Sequence, residues 1–130
     1  MLEINENSEN SSTVAGISES VLFTSDNSTE NLSLPTSEIV FIKSADNYVE
    51  VAYTEGDALK KQLLRNTLKR IEEQLKPYPD FIRCHRICIV NALYIEKLEN
   101  ENQNYWIKLK GYPEKLPVSR QYLIKVKERT

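Results

Sequence analysis

The sequence is poor in the residues on which most catalytic motifs depend. It contains three glycines and one histidine in 130 residues. So few glycines exclude the glycine-rich loops that cradle nucleotide phosphates, and one histidine excludes the His-Glu-x-x-His zinc motif. The Gly-x-Ser-x-Gly motif of serine hydrolases is also missing. We therefore expect a protein that is not an enzyme and that binds no cofactor.

Cysteine is scarce as well. Cys84 and Cys88 lie in the segment FIRCHRICIVN, whose β-branched and aromatic residues are typical of a strand. Residues four apart on one strand face the same way but lie too far apart for a disulfide, so we expect reduced, packed thiols. His85 is the only histidine and no second cysteine pair exists, so a metal site is not expected. Neighbouring strand residues point to opposite faces, so Cys84 and His85 do not form a nucleophile and its base.

Long apolar runs are missing too. No stretch is long enough to cross a bilayer, and the N-terminus lacks the basic cluster and apolar run of a secretory signal. Hydrophobic residues make up 40% and charged residues 28% of the chain, which is ordinary for a soluble globular protein. We expect a cytoplasmic protein with one compact domain, because 130 residues seldom divide into two.

Basic residues are missing from the first 40 positions. All 17 lysines and arginines follow, together with 12 of the 19 acidic residues. Residues 41–130 are therefore net basic, although the whole chain carries a formal charge of −2. A basic body is compatible with nucleic-acid binding, because lysine and arginine release counterions from the phosphates. Many solvated surfaces carry as much charge, so the charge alone does not decide the function.

The chain divides into a tail, a short leading segment and a body. Residues 1–20 are rich in Asn, Ser and Glu and poor in large apolar groups, which predicts a disordered tail or linker. Residues 21–36 contain two short apolar stretches around a polar turn, which predicts a leading hairpin or a linker. The body, residues 37–130, has the regular patterns of a folded domain.

Most of the body is predicted to form β-strands. Period-two alternation over residues 48–53 is typical of a half-buried strand, and a turn near 44–47 joins it to an earlier strand. Further strand-like runs, separated by polar turns, occupy residues 58–64, 81–91, 93–98 and 105–110.

Two short helices complete the predicted fold. Asn66 is placed to cap the first helix, in which Leu68, Ile71 and Leu75 recur on one face before prolines end it. Ser119 is placed to cap the second helix, close to the C-terminus. The predicted fold class is thus mostly β, with two short helices.

One strand-like segment contains an unusual run of charge, Arg83-Cys-His-Arg86. Three groups that carry, or can carry, positive charge within four residues are costly to bury unpaired. At least two of them should therefore reach the surface or a partner. The structural alternative is that His85 is a hydrogen-bonded core histidine and that the arginines pair with Glu72 or Glu73.

The same segment resembles a known family. FIRCHRICIVN is similar to the F-x-R-x-H-R-S-Y-I-V-N core of LytTR domains. Upstream, EIVFIKSADNYVEVAY resembles the opening strands of the family, and TLKRIEEQL resembles its T-L-K-x-L-E-x-x-L helix. Downstream, LPVSRQYLIKVK resembles its closing L-P-V-S-R segment. The matches follow the family's order and spacing over residues 37–128, which places a LytTR-type domain at 37–130.

The resemblance implies an elongated arrangement of small antiparallel sheets that lays loops, not a recognition helix, into DNA grooves. It also implies a non-catalytic, sequence-specific output domain of a bacterial transcription regulator of the LytR/AlgR type. Such domains often bind repeated half-sites in double-stranded DNA as homodimers. Their usual control element is an upstream receiver domain, and the first 40 residues are too few and too polar to form one. A receiver, sensor or membrane portion is therefore expected elsewhere in a longer chain or in trans.

The resemblance assigns DNA contacts to loop residues. Asn47 would bind adenine N6 and N7 in a bidentate manner, or else only cap a turn. Arg120 would lie in a major groove and bind guanine O6 and N7. Arg86 would contact phosphate, the minor groove or a water-bridged base, and His85 beside it would hold phosphate. Ser119 would offer its hydroxyl or backbone N–H to phosphate, or simply cap the last helix.

The sequence departs from the family pattern at Ile87-Cys88, where Ser-Tyr is usual. The change removes a hydroxyl group that would be available to the DNA backbone. Further phosphate contacts would come from lysines, each of which is equally well explained as a solvated surface charge. The candidates are Lys43, Lys60, Lys61, Lys69, Lys108 and Lys110.

Two other functions stay open at this stage. A protein-interaction module would recruit a partner chain through exposed β-edges. A single-stranded nucleic-acid binder would stack bases on aromatic side chains, although period-two patterning favours core packing for several of them. The aromatic candidates are Tyr48, Tyr53, Tyr105 and Trp106.

Overall fold

The computed structural model describes residues 19–26 and 30–130, so most of the predicted tail lies outside the described residues. The described chain is mostly β with two short helices, as the sequence pattern predicts. The helices are α1 (Leu68–Gln74) and α2 (Leu123–Lys127), and one turn of 3-10 helix, Arg120–Tyr122, leads into α2. The strands are β1 (Ser20–Thr24), β2 (Asn31–Pro35), β3 (Ile39–Ala45), β4 (Tyr48–Glu55), β5 (Ala58–Arg65), β6 (Phe81–His85), β7 (Cys88–Asn91), β8 (Ile95–Glu101), β9 (Asn104–Leu109) and β10 (Lys115–Val118).

A five-stranded antiparallel sheet, in the order β5-β4-β3-β7-β6, forms the centre of the molecule. The β1–β2 hairpin and α1 cover one face of this sheet. A three-stranded sheet, in the order β10-β9-β8, and α2 cover the other face. A strand covered on both faces is apolar along its length, and residues 39–42 of β3 are accordingly all fully buried. Within the described residues, no helix has the length and apolar character that a membrane crossing requires.

The segment FIRCHRICIVN forms two strands, which corrects the prediction of one. β6 and β7 make a hairpin with Arg86 and Ile87 at its turn. No glycine, proline or asparagine marks this turn, so the sequence pattern alone predicts one strand that continues through it. The hairpin brings the Sγ atom of Cys84 to 3.6 Å from the carbonyl oxygen of Cys88. Both thiols are buried and free, and the pKa of Cys88 is raised well above its usual value by the hydrogen bond with Cys84 and by burial.

The predicted cap of α1 is also corrected. Thr67, not Asn66, caps the helix, because its side chain accepts a hydrogen bond from the backbone N–H of Arg70 at 3.2 Å. Asn66 is buried instead, where its side-chain amide donates to the carbonyl of Thr24 at 2.6 Å. Asn66, although suited to capping, therefore links β1 to the start of α1 by a side-chain hydrogen bond.

Candidate nucleic-acid interface

Two turns lie side by side at one end of the central sheet. Asp46 and Asn47 form the β3–β4 turn, in which Asp46 has a positive φ of 57° and both side chains are exposed. Because β3 pairs with both β4 and β7, the β3–β4 and β6–β7 turns protrude from the same end. The backbone N–H of Ser44 donates to the carbonyl of Ile87 at 2.9 Å, which fixes one turn against the other.

A third segment joins these turns from the end of β10. The backbone N–H of Ser119 donates to the carbonyl of Cys84 at 3.0 Å. Cys84 lies near the end of β6, so this bond holds residues 119–120 beside the β6–β7 turn. We call turn 46–47, turn 86–87 and residues 119–120 together the turn cluster. The fold therefore collects four of the predicted contact residues, and the fifth, His85, directly precedes turn 86–87.

His85 lies next to the turn cluster, and its environment favours the neutral imidazole. Its Nδ1 atom accepts a hydrogen bond from the backbone N–H of Ile87 at 3.3 Å. The proton of the neutral ring is therefore on Nε2, which is the form that can donate to an acceptor outside the protein. The pKa of His85 is lowered by burial and by the positive charge of Arg86.

Ion pairing separates the arginines of this region into two kinds. Arg83 donates to Glu72 at 3.0 Å and to the backbone carbonyl of Arg86 at 3.1 Å. The structural alternative, in which the arginines pair with Glu72 or Glu73, is therefore confirmed for Arg83. Arg86 and Arg120 are exposed and form no ion pair with any residue that the structure describes. Their charges are available to an anionic partner.

Most of the candidate lysines are paired with carboxylates. Lys43 and Lys61 both bind Glu114, at 3.2 and 2.7 Å. Lys69 and Lys110 have no carboxylate partner in the described part of the chain. The remaining pairs are Lys60 with Glu55 at 3.7 Å and Lys108 with Glu96 at 3.6 Å.

Ser119 and Asn47 each had a structural alternative. Ser119 makes no side-chain capping bond at the start of the 3-10 turn, and its buried Oγ has no hydrogen-bond partner among the described residues. Its backbone N–H already donates to Cys84 and its Oγ is buried, so the hydroxyl could reach a ligand only after the side chain rotates outward. The exposed side chain of Asn47 likewise forms no hydrogen bond within the described ranges.

Arg65 is a candidate contact that the sequence patterns did not indicate. It ends β5 directly opposite Tyr48, the residue that follows turn 46–47. Its guanidinium group lies 6.0 Å from the centre of the Tyr48 ring and forms no ion pair with a described residue. Only the strand register brings it to the turn cluster, so no local motif could have identified it.

The four aromatic candidates do not form one exposed platform. Tyr53 and Tyr105 pack against the two hydrophobic core clusters, and Trp106 is half-buried. Tyr48 is 40% exposed. Core packing therefore accounts for two of these side chains, as the period-two pattern indicates.

A mostly β domain that gathers exposed, unpaired cations on its turns has the features of a nucleic-acid-binding module. Comparison with known proteins identifies the family. The model of the LytTr DNA-binding domain matches residues 29–130, and this chain belongs to that family.

Similar proteins agree with this assignment. An uncharacterized response regulatory protein of Vibrio cholerae is 31% identical over 96 residues, and the sensory transduction protein LytT of Bacillus subtilis is 34% identical over 99 residues. Each match covers 72% of this chain but only 36% of the relative, so the chain spans about a third of their length. A solved LytTr DNA-binding domain of a methyl-accepting/DNA response regulator from Bacillus cereus has a TM-score of 0.64 and 23% identity, over 84% of this chain and 95% of that one. This likeness confirms the predicted fold.

Proposed function

We propose that this chain binds double-stranded DNA in a sequence-specific manner, without catalysis, as the output domain of a bacterial transcription regulator. The turn cluster carries the proposal. Two backbone hydrogen bonds, from Ser44 to Ile87 and from Ser119 to Cys84, hold three exposed segments in a fixed arrangement. Because the backbone of these segments is already ordered, binding to DNA costs only the conformational entropy of their side chains.

Base selection is assigned to the two side chains with suitable hydrogen-bonding geometry. The guanidinium fork of Arg120 matches the O6 and N7 atoms of guanine in the major groove. The amide of Asn47 matches the N6 and N7 atoms of adenine. Both side chains are exposed and have no partner among the described residues, so they meet a base edge without first breaking a protein contact.

Phosphate contacts are assigned to the residues around the β6–β7 turn. His85 would donate its Nε2–H to a phosphate oxygen, and Ser119 would donate its hydroxyl once its buried side chain rotates outward. Arg86 would reach a phosphate, the minor groove or a water-bridged base. These contacts would set the register on the duplex while Asn47 and Arg120 select bases.

The assembly and its control are part of the proposal. One turn cluster contacts few base pairs, so two copies on repeated half-sites would supply the specificity that one copy lacks. The relatives are considerably longer than this chain. A receiver, sensor or membrane portion, in a longer chain or in trans, would control the domain in the cytoplasm, where the chromosome is accessible.

Selection from a randomised duplex library at moderate salt tests the proposal. We expect residues 1–130 to enrich a repeated half-site, and Arg120→Ala to lose about 1–3 kcal/mol and to relax selection at one base pair. Arg129→Ala is the matched control, because Arg129 pairs with Asp80 before β6, at the opposite end of that strand from the turn cluster. Failure of the unmodified protein to enrich any sequence would contradict the proposal. Equal weakening on all sequences would make Arg120 a phosphate contact.

The second candidate function is recruitment of a protein through a sheet edge. β5 is an edge of the central sheet, and its Leu63 is 53% exposed. Lys60 and Lys61 lie on the same strand, and charged side chains on an edge usually discourage pairing. A salt titration separates the candidates, because duplex binding weakens steeply as salt rises whereas edge pairing responds little. Competition between duplex and single-stranded DNA tests the remaining single-strand alternative.

A further inference from the structure

A shallow depression lies beside Arg120, away from the other two segments of the turn cluster. It has a volume of about 410 Å³. None of its described lining residues carries a carboxylate, and Lys127, over the Tyr105 ring at 5.8 Å, adds positive charge nearby. The lining residues are Asn100, Gln103, Tyr105, Arg120, Leu123 and Ile124.

Strand alternation keeps the acidic residues of β8 out of this depression. Asn100 lies opposite Tyr105, and Tyr105 packs against the core. Directly opposed residues share one face of a sheet, so Asn100 faces the core side. Glu99 and Glu101 face the other side, where Lys115 binds them at 2.7 and 3.7 Å. A DNA strand entering the depression therefore meets amide groups and cations.

The β8–β9 turn holds an unusually long side chain for its backbone conformation. Asn102 and Gln103 form the turn with positive φ values of 52° and 68°. Asparagine tolerates this conformation, whereas glutamine adopts it rarely and glycine would adopt it without strain. A side chain kept at a strained position is a reason to examine its function. Here the amide of Gln103 lines the same depression as Arg120.

Ile124 supplies an apolar group at the same place. It is 73% exposed, more than any other large hydrophobic residue that the structure describes. It follows Arg120 by about one helical turn, so both side chains lie on the same side of the C-terminal helical segment. An apolar side chain beside amides and a guanidinium group is complementary to the edge of an A·T base pair. On that edge, hydrogen-bonding groups adjoin the thymine methyl group.

We propose that Gln103 and Ile124 read an A·T base pair next to the base pair contacted by Arg120. The Gln103 amide would bind adenine N6 and N7, and the Ile124 side chain would contact the thymine methyl group. This inference rests on the proposed function, since it extends the DNA surface of Arg120. It adds one selected base pair to each half-site.

The test repeats the library selection with Gln103→Ala, Gln103→Gly and Ile124→Ala. We expect each variant to retain the half-site but to lose about tenfold of its discrimination at one base pair, adjacent to the pair that Arg120→Ala relaxes. Gln103→Gly removes the amide while suiting the backbone, so its loss of selectivity cannot be ascribed to strain. Gln62→Ala, in the middle of β5, and Leu93→Ala, after the end of β7 that lies opposite the turn cluster, are matched controls that should select as the unmodified protein does. Leu93 is 54% exposed, so it is comparable with Ile124.

Modified bases sharpen the assignment. Replacing the thymine by uracil removes only the methyl group, so it should weaken binding of the unmodified protein but not of Ile124→Ala. Replacing the adenine by 7-deazaadenine should likewise weaken binding of the unmodified protein but not of Gln103→Ala.

If the unmodified protein selects a half-site and these variants select it equally well, the inference is overturned while the proposed function stands. Uniform weakening of binding to all sequences by these variants also overturns the inference. So does a loss of self-association without a change in selectivity, since it would make Gln103 and Ile124 contacts between two copies of the chain. If the unmodified protein selects nothing, both fail together.

Discussion

At the scale of single residues, His85 is the group through which pH would act on the turn cluster. Burial and the charge of Arg86 lower its pKa, so the folded protein favours the neutral ring. The unfolded chain takes up a proton near its ordinary pKa of about 6.5. The free fold should therefore lose stability as the pH falls through that value. A phosphate against Nε2 has the opposite effect, because it favours the protonated ring.

We accordingly expect DNA affinity to rise as the pH falls toward 6 and below. His85 is the only histidine in the chain, so its imidazole signals in an NMR titration are unambiguous. The titration midpoint should lie below about 6.5 in the free protein and move upward on the duplex. In His85→Gln, the dependence of affinity on pH over this range should disappear. A midpoint that is unchanged by DNA would remove His85 from the interface.

Candidate DNA contacts could be predicted from the sequence where they belong to a motif, and not where only the fold brings them to the site. The motif around Arg83 to Arg86 marked this segment as a candidate without predicting its turn. The structure places Asn47, Arg86 and Arg120 on exposed segments held close together. Arg65 and Gln103 could not be found in this way, because each reaches its neighbours only through strand register or turn geometry. Their local sequences are ordinary, polar and without a motif.

At the scale of elements, Asn91 holds the end of β7 in place. Its buried side chain donates to the carbonyl of Ile39 at 2.8 Å and accepts from the backbone N–H of Leu93 at 3.1 Å. Asn91→Ala would leave both of these backbone groups without their partner. We expect the free energy of unfolding to fall by about 2 kcal/mol or more, as measured by urea denaturation. Asn31→Ala, at an exposed position of β2, should change it by less than about 0.5 kcal/mol.

Elements with clear periodicity were predicted correctly, and the errors have physical causes. Alternation identified β4, and the helical spacing of Leu68, Ile71 and Leu75 identified α1. The turn at Arg86 and Ile87 was missed because it lacks turn-forming residues, and pairing of β7 with β3 fixes it instead. Asn66 was misassigned because burial against the β1–β2 hairpin outweighs its capping preference.

At the scale of the whole molecule, the β1–β2 hairpin completes the core on one face of the central sheet. Val21 and Leu34 are nearly fully buried, and Phe23 is fully buried. Burial of one such side chain contributes about 1.5–3 kcal/mol. A chain of residues 37–130 should therefore be less stable than the full chain by roughly 5 kcal/mol or more. Residues 19–130 should retain nearly full stability, and thermal unfolding of the three chains provides the comparison.

Burial of both faces of the central sheet also separates the hydrophobic core from the proposed recognition surface. The core is buried between layers, whereas Asn47, Arg86 and Arg120 protrude from turns and support no packing. Substitutions at these three positions should leave the scaffold intact. If their side chains select bases as proposed, a gene duplicate could acquire a new operator by exchanging them one at a time. The architecture thus permits domains with many different operator specificities to evolve on one common scaffold.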